Sequence, residues 1–155
     1  MRRWRSLLYV PGVRERMLAK APTTGADGLI LDLEASVPDG EKARARALVA
    51  EAIPRIAAAS AADVFVRLNT LASGLPAAEI AAIAGPGLAG VVLPALDGAD
   101  DVRRVDGWLG GAEAAAGLPT GALAILAILE TARAVVRAVD ILTASPRVAG
   151  MLFGA

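Results

Sequence analysis

The chain has 155 residues, 16 Lys and Arg against 16 Asp and Glu, 55% apolar residues, 3% aromatic residues, and neither Cys nor His. That balance offers no basic field for a phosphate backbone and few rings for base stacking, which argues against a nucleic-acid partner. The absent residue types exclude disulfides, thiolate sites, Cys nucleophiles, a Ser-His-Asp triad and His-ligated zinc. Chemistry must run on carboxylates, Arg, Lys, hydroxyls, backbone groups or a bound cofactor, in a length that suits one domain with its own core.

"MRRWRSLLYVPG" opens like a signal peptide, but its apolar stretch, Leu7 to Val10, is too short and ends in Pro-Gly. No charge-free run approaches the ~20 residues that span a bilayer, so the reading is a soluble, cytoplasmic protein with no membrane partner. Ser6 to Val10 is the first strand, closed by Pro11-Gly12, and Val13 to Ala21 a helix with Arg and Lys on its outer side. After a turn over Thr23 to Asp27, Gly28 to Glu34 is the second strand, and Glu41 to Ser60 an Ala-rich helix with a kink expected at Pro54. Asp63 to Asn69 is the third strand, followed by a helix over Leu75 to Ala84. "LAGVVLP", Leu88 to Pro94, is the fourth. Ala99 to Ala116 is helical, weakened by Gly107, Gly110 and Gly111. Ala122 to Glu130 is the fifth strand, Thr131 to Thr143 a helix, and Arg147 to Gly154 the sixth strand.

Strand and helix alternating at roughly 25 to 35 residues read as consecutive βαβ units and a parallel sheet. The near-continuous apolar strands agree, because parallel sheets are covered on both faces. Neither GxGxxG nor GxxxxGK[ST] follows any strand, so the marker of a nucleotide fold is missing. A (β/α)8 barrel fits better, although it needs eight strands and ~250 residues.

Polar residues collect where strands end: Asp32 and Glu34 on the second, Arg67 and Asn69 on the third, Glu130 after the charge-free run Gly121 to Leu129 of the fifth. Residues two apart share a strand face. In a barrel the C-terminal strand ends open onto one mouth, where active sites lie. Carboxylates from two strands and a guanidinium from a third would converge there. Each charge alone also fits a turn to solvent, and a purely structural ion pair between Arg67 and Glu34 fits as well.

"RSLLYVPG", "GLILDLEASVPDGEKARAR", "VFVRLN", "GVVLP", "ILETARAVV" and "ASPRVAGMLFGA" occur in this order. Together they resemble the HpcH/HpaI aldolase/citrate lyase family, in its branch of citrate lyase β subunits and malyl-CoA lyases. The resemblance implies a (β/α)8 TIM barrel of which this single domain, residues 1–155, holds six βα units, cut before strands seven and eight. It implies a Mg2+-dependent carbon–carbon lyase that cleaves a 3-hydroxyacyl-CoA to acetyl-CoA and a 2-oxo acid, in a trimer or hexamer. Its metal-binding Glu falls on Glu130 and its catalytic Arg on Arg67. Glu34 is the nearest group for moving the proton. Arg14 and Arg16 either meet CoA phosphates or form a solvated helix face, and Lys42 and Arg46 read as a surface helix face. The family's second metal ligand is an Asp just after the "FG" of strand six, where this sequence has only Ala155.

Three departures from the family pattern stand out: Ala35 where Asp is usual, Ala95 where Lys is frequent, and the stop at Ala155. The alternatives are therefore a pyruvate-type aldolase acting on free 2-oxo acids, and a truncated, non-catalytic paralogue that binds a partner subunit.

Overall fold

The alternation resolves into six parallel strands in a computed structural model that describes residues 4–154. They are β1 (Leu7–Pro11), β2 (Gly28–Asp32), β3 (Asp63–Arg67), β4 (Leu88–Leu93), β5 (Ala124–Leu129) and β6 (Val148–Phe153). Between them run α1 (Glu15–Lys20), α2 (Lys42–Ala59), α3 (Pro76–Ile83), α4 (Ala99–Ala116), α5 (Ala132–Val136) and α6 (Ala138–Leu142). The strands pair in sequence order, each with its chain neighbour. Strand order therefore never reverses, as it does in a doubly wound sheet. Where the sequence predicts a barrel, the described residues form one six-stranded sheet, with β1 and β6 at its two ends.

That winding gives the sheet two unlike faces. Leu29, Leu31, Val64, Val66, Val91, Leu93, Ile125 and Ala127 point toward the helices. They meet Val49, Ile53 and Ile56 of α2, Ile80 and Ile83 of α3, and Val102, Val105 and Leu109 of α4. The helix positions recur every three or four residues, as one buried stripe requires. This stripe carries α2 through Pro54, and α4 through its three glycines, as single elements. The intervening strand residues Ile30, Phe65, Val92, Leu126 and Ile128 form a second, smaller cluster on the other face. No helix residue joins that cluster; Trp4 closes its lower end, edge-on to Phe65 at 5.1 Å.

Several boundaries differ from the sequence expectation for local reasons. β2 stops at Asp32 because its carboxylate accepts the backbone N–H groups of Glu34 and Ser36, which turns the chain. The helix expected over Thr131 to Thr143 is two short helices meeting at Arg137, whose φ of −98° and ψ of 16° leave the helical region. Val135, Val136 and Val139 there are β-branched and exposed, so neither propensity nor burial holds a continuous helix. No helix among the described residues is long and apolar enough to cross a membrane.

Candidate active site

Strand alternation carries the second face upward to polar residues. Above Ile30, Phe65 and Ile128 stand Asp32, Arg67 and Glu130, at or just past the C-terminal ends of their strands, and Tyr9 stands above Leu7 at the middle of β1, level with Ile30. Asp32 and Arg67 are direct neighbours in the β2–β3 ladder. Arg67 Nε donates to Asp32 Oδ1 and Nη2 to Oδ2, both at 2.7 Å, a two-pronged charge-assisted pair. Glu34 Oε2 lies 3.3 Å from Arg67 Nη1. The guanidinium carbon lies 4.7 Å from the centre of the Tyr9 ring, a cation–π contact. One plane, one edge and one face of Arg67 are thereby fixed, while N–H groups on both terminal nitrogens remain for another acceptor.

Burial alone would push the Asp32 carboxyl up. Hydrogen bonds from Arg67, Ser36 and Glu34 outweigh it and hold the group below its ordinary value. Burial likewise opposes the charge of Arg67, and Asp32 more than offsets it. Tyr9 is raised, first by burial, with Arg67 pulling the other way and the charges of Asp32, Glu130 and Glu34 adding to the rise. Among the groups facing this end of the sheet, Tyr9 therefore keeps its proton at neutral pH.

Glu130 follows β5 and is exposed. Its Oε1 accepts the backbone N–H of Ala95 at 2.5 Å. Gly154 packs against the same carboxylate: a Cβ there would stand 3.2 Å from Glu130 Oε2, close enough that the carboxylate would have to shift by a few tenths of an ångström. On the other side Gly12 donates its N–H to the Asp32 carbonyl at 2.9 Å, and a Cβ would clash with that oxygen at 2.6 Å. The Pro11-Gly12 turn thus seats the end of β1 against the end of β2.

The sequence-derived residues divide. Arg67, Glu34 and Glu130 lie at the same end of the sheet, on the face without helices. Arg14 and Arg16 do not join them. They are exposed at the start of α1, lining a cavity of ≈ 430 Å³ with Pro38, Glu41 and Arg44. Lys42 is not the solvated residue expected of it. Its Nζ reaches back to the carbonyls of Leu33, 3.0 Å, and Glu34, 2.7 Å, because the turn after β2 leaves those acceptors without strand partners. Ala155 lies outside the described residues. Sequence reading passed over Asp32 as the main partner of Arg67, and over Tyr9; for both, the signal was strict alternation with Ile30 and Leu7.

Among the described residues no group of three or more His, Cys, Asp or Glu side chains could hold a metal ion. Mg2+ usually takes one or two protein carboxylates and completes its octahedron with water and substrate oxygens. Glu130 fits that role, since it is exposed and only one of its oxygens is bonded to the chain in the contacts above. Asp32 does not fit: each of its oxygens already accepts one N–H of Arg67 and one of the backbone.

A sequence profile described as HpcH/HpaI aldolase/citrate lyase matches residues 5–155. Citrate lyase subunit beta of Leuconostoc mesenteroides subsp. cremoris is 33% identical over 151 residues, 97% of this chain and 50% of that protein. A citrate lyase subunit beta-like protein of Deinococcus radiodurans is 39% identical over 154 residues, 97% of this chain and 51% of that protein. Among solved structures, protein CitE of Mycobacterium tuberculosis, in complex with magnesium, acetoacetate and coenzyme A, matches with a TM-score of 0.71. It is 29% identical, over 96% of this chain and 48% of that one. The chain spans about half the length of the curated relatives it matches.

Proposed function

The chain belongs to the HpcH/HpaI aldolase/citrate lyase family, and from that premise we propose that it carries the centre of a Mg2+-dependent carbon–carbon lyase. The substrate in this reading is a 3-hydroxyacyl-CoA, cleaved to acetyl-CoA and a 2-oxo acid. The observation that carries it is the oriented Arg67 fork, held by Asp32 and Tyr9 beside Glu34 and on the same face as Glu130. The magnesium, acetoacetate and coenzyme A bound by the M. tuberculosis relative support the ligand classes. The winding of the sheet supports a further proposal, that these are six βα units of a (β/α)8 barrel.

Cleavage breaks the bond between the carbinol carbon and the carbon next to the thioester. The hydroxyl proton leaves, the carbinol becomes the oxo group, and the electron pair passes into a thioester enolate. That carbon must then take up a proton. Arg67 offers its remaining N–H groups to the enolate oxygen, in a geometry fixed before the charge develops. Glu34 touches Arg67 and is partly exposed, so it is placed to move a proton between hydroxyl and solvent. Glu130 would hold Mg2+, which when bound supplies Lewis-acid polarisation of the substrate's oxygens. Arg14 and Arg16 offer charged donors for the CoA phosphates.

The test is exchange of the acetyl-CoA methyl protons in D2O, followed by NMR with Mg2+ and a 2-oxo acid present. This half-reaction requires only enolate formation. Exchange by the wild-type chain, reduced about 10²- to 10³-fold in Arg67→Lys, is expected. No exchange by a folded chain that binds Mg2+ would overturn the lyase reading and favour a non-catalytic partner of another subunit.

A further inference from the structure

Glu79 on α3 is 1% exposed and has no part in the chemistry above. Burial pushes its carboxyl up, against the hydrogen bonds it accepts from Asn69. Both of its bonds come from that residue: the backbone N–H of Asn69 at 3.0 Å, and the Asn69 side-chain amide. Lys42 and Arg46 act on it only through space. A buried carboxylate without a cation in contact is costly. Ending a strand does not require one.

The bonds lead directly to the site. The Asn69 amide also donates to the Leu33 carbonyl at 2.9 Å. Lys42 Nζ donates to that same carbonyl and to the carbonyl of Glu34. The Leu33 N–H returns to the Arg67 carbonyl at 3.0 Å. Leu33 sits between Asp32 and Glu34, and Asn69 lies two residues after Arg67. Glu79, Asn69 and Lys42 thus tie the end of β2 to the end of β3, one residue beyond the Arg67–Asp32 fork.

We propose that Glu79, acting through Asn69 and together with Lys42, is a positioning residue that sets the Arg67 fork against Asp32, Glu34 and the Tyr9 ring. Its consequence for turnover rests on the lyase reading; the positioning itself does not. Tyr9 is the one tyrosine of the chain, so its ultraviolet titration reports on this spot alone. Arg67 pulls the Tyr9 phenol down, against burial. A fork that swings away releases that pull.

The experiment titrates Tyr9 by ultraviolet difference absorbance in the wild-type chain, Glu79→Gln, Lys42→Met and Asp106→Asn, with circular dichroism confirming the fold at each pH. Asp106→Asn weakens an arginine–carboxylate contact at the opposite end of the sheet and serves as the structural control. Glu79→Gln and Lys42→Met should raise the Tyr9 midpoint by about 0.5 pH or more, and Asp106→Asn should leave it in place. Lys42→Met empties no core position, so it decides the matter if Glu79→Gln does not fold. An unchanged midpoint in the folded variants, or an equal rise in Asp106→Asn, overturns the proposal. In the exchange assay the same two variants should lower kcat more than they raise KM. Absence of wild-type exchange counts against the lyase reading alone, since the Tyr9 result stands without it.

Discussion

Arg67 and Arg147 each meet two carboxylates, at opposite ends of the same sheet. Arg147 stands just before β6, with 6% of its side chain exposed. Its Nη1 and Nη2 donate to the two oxygens of Glu113 at 2.6 and 2.7 Å, its Nε to Asp106 at 2.5 Å, and Nη1 also to the Leu123 carbonyl. Glu113, 1% exposed, further accepts the N–H groups of Gly121 and Leu123, so α4 is bound to the entry of β5. Arg147 and Glu113 face other groups of the chain, and Asp106, 34% exposed, forms the outer edge of the cluster. Arg67 is more open at 17%, and fewer of its N–H groups are taken, while the second carboxylates are alike, Glu34 at 27% and Asp106 at 34%. The same residue types make a closed joint at the N-terminal strand ends and an open fork at the C-terminal ends. What separates structure from chemistry here is leftover hydrogen-bonding capacity, not composition.

The largest expected effect tests the closed joint. Glu113→Gln leaves Arg147 with half its partner and should cost about 3–5 kcal/mol of stability, read from urea unfolding. Arg67→Lys should cost only about 1 kcal/mol in the same measurement, because Asp32 keeps its two backbone donors and a lysine still supplies charge. Equal losses would erase the distinction between the two clusters.

Acid should then dismantle the closed joint through a defined window. Arg147 holds the Glu113 carboxyl down to about 2, against an ordinary 4.5. A depressed carboxyl contributes stability that is fully present above the unfolded value and is lost as the group protonates. Stability should therefore fall as pH drops from about 4.5 toward 2, and Glu113→Gln should flatten that slope. Asp27, held near 2 by Arg5 at the surface, adds a part that salt should screen. Glu79 works in the opposite sense. Raised by burial, it costs stability as pH climbs past its ordinary 4.5. A slope that survives Glu113→Gln at high salt would move the acid sensitivity elsewhere.

The open fork was partly legible in the sequence, and the closed joint was not. Alternation within β2, β3 and β5 placed Asp32, Glu34, Arg67 and Glu130 at strand ends, since a strand face follows from counting by two. Which carboxylate the fork would grip depended on the turn after Asp32, where side chain and backbone compete for the same N–H groups. Lys42 looked solvated because its position in α2 says nothing of the bare carbonyls it reaches. Glu113 and Arg147 are 34 residues apart, and no periodicity links a helix face to the residue before a strand. Tertiary contacts of that kind become visible only once the sheet order is known.

A smaller effect separates the two ends in another way. Ala95, φ +49°, is the one non-glycine residue with positive φ among the described residues. It lies at the open end, and the N–H it donates to Glu130 depends on that left-handed turn. Holding alanine there costs about 1 kcal/mol, and strain of this sort gathers where an arrangement serves something other than stability. Ala95→Gly keeps the N–H and removes the side-chain clash, though it adds freedom to the unfolded chain. The balance should raise stability by about 0.5 kcal/mol and leave Mg2+ affinity, measured by calorimetry, unchanged. Ala95→Pro has no N–H and cannot reach this φ, so Glu130 loses its tether and, under the proposal that Glu130 holds Mg2+, Mg2+ binding should weaken even where the fold survives. Equal Mg2+ affinity in a folded Ala95→Pro chain would show that the tether does not shape the Glu130 site, and the strained turn would then belong to structure, as the Arg147 joint does.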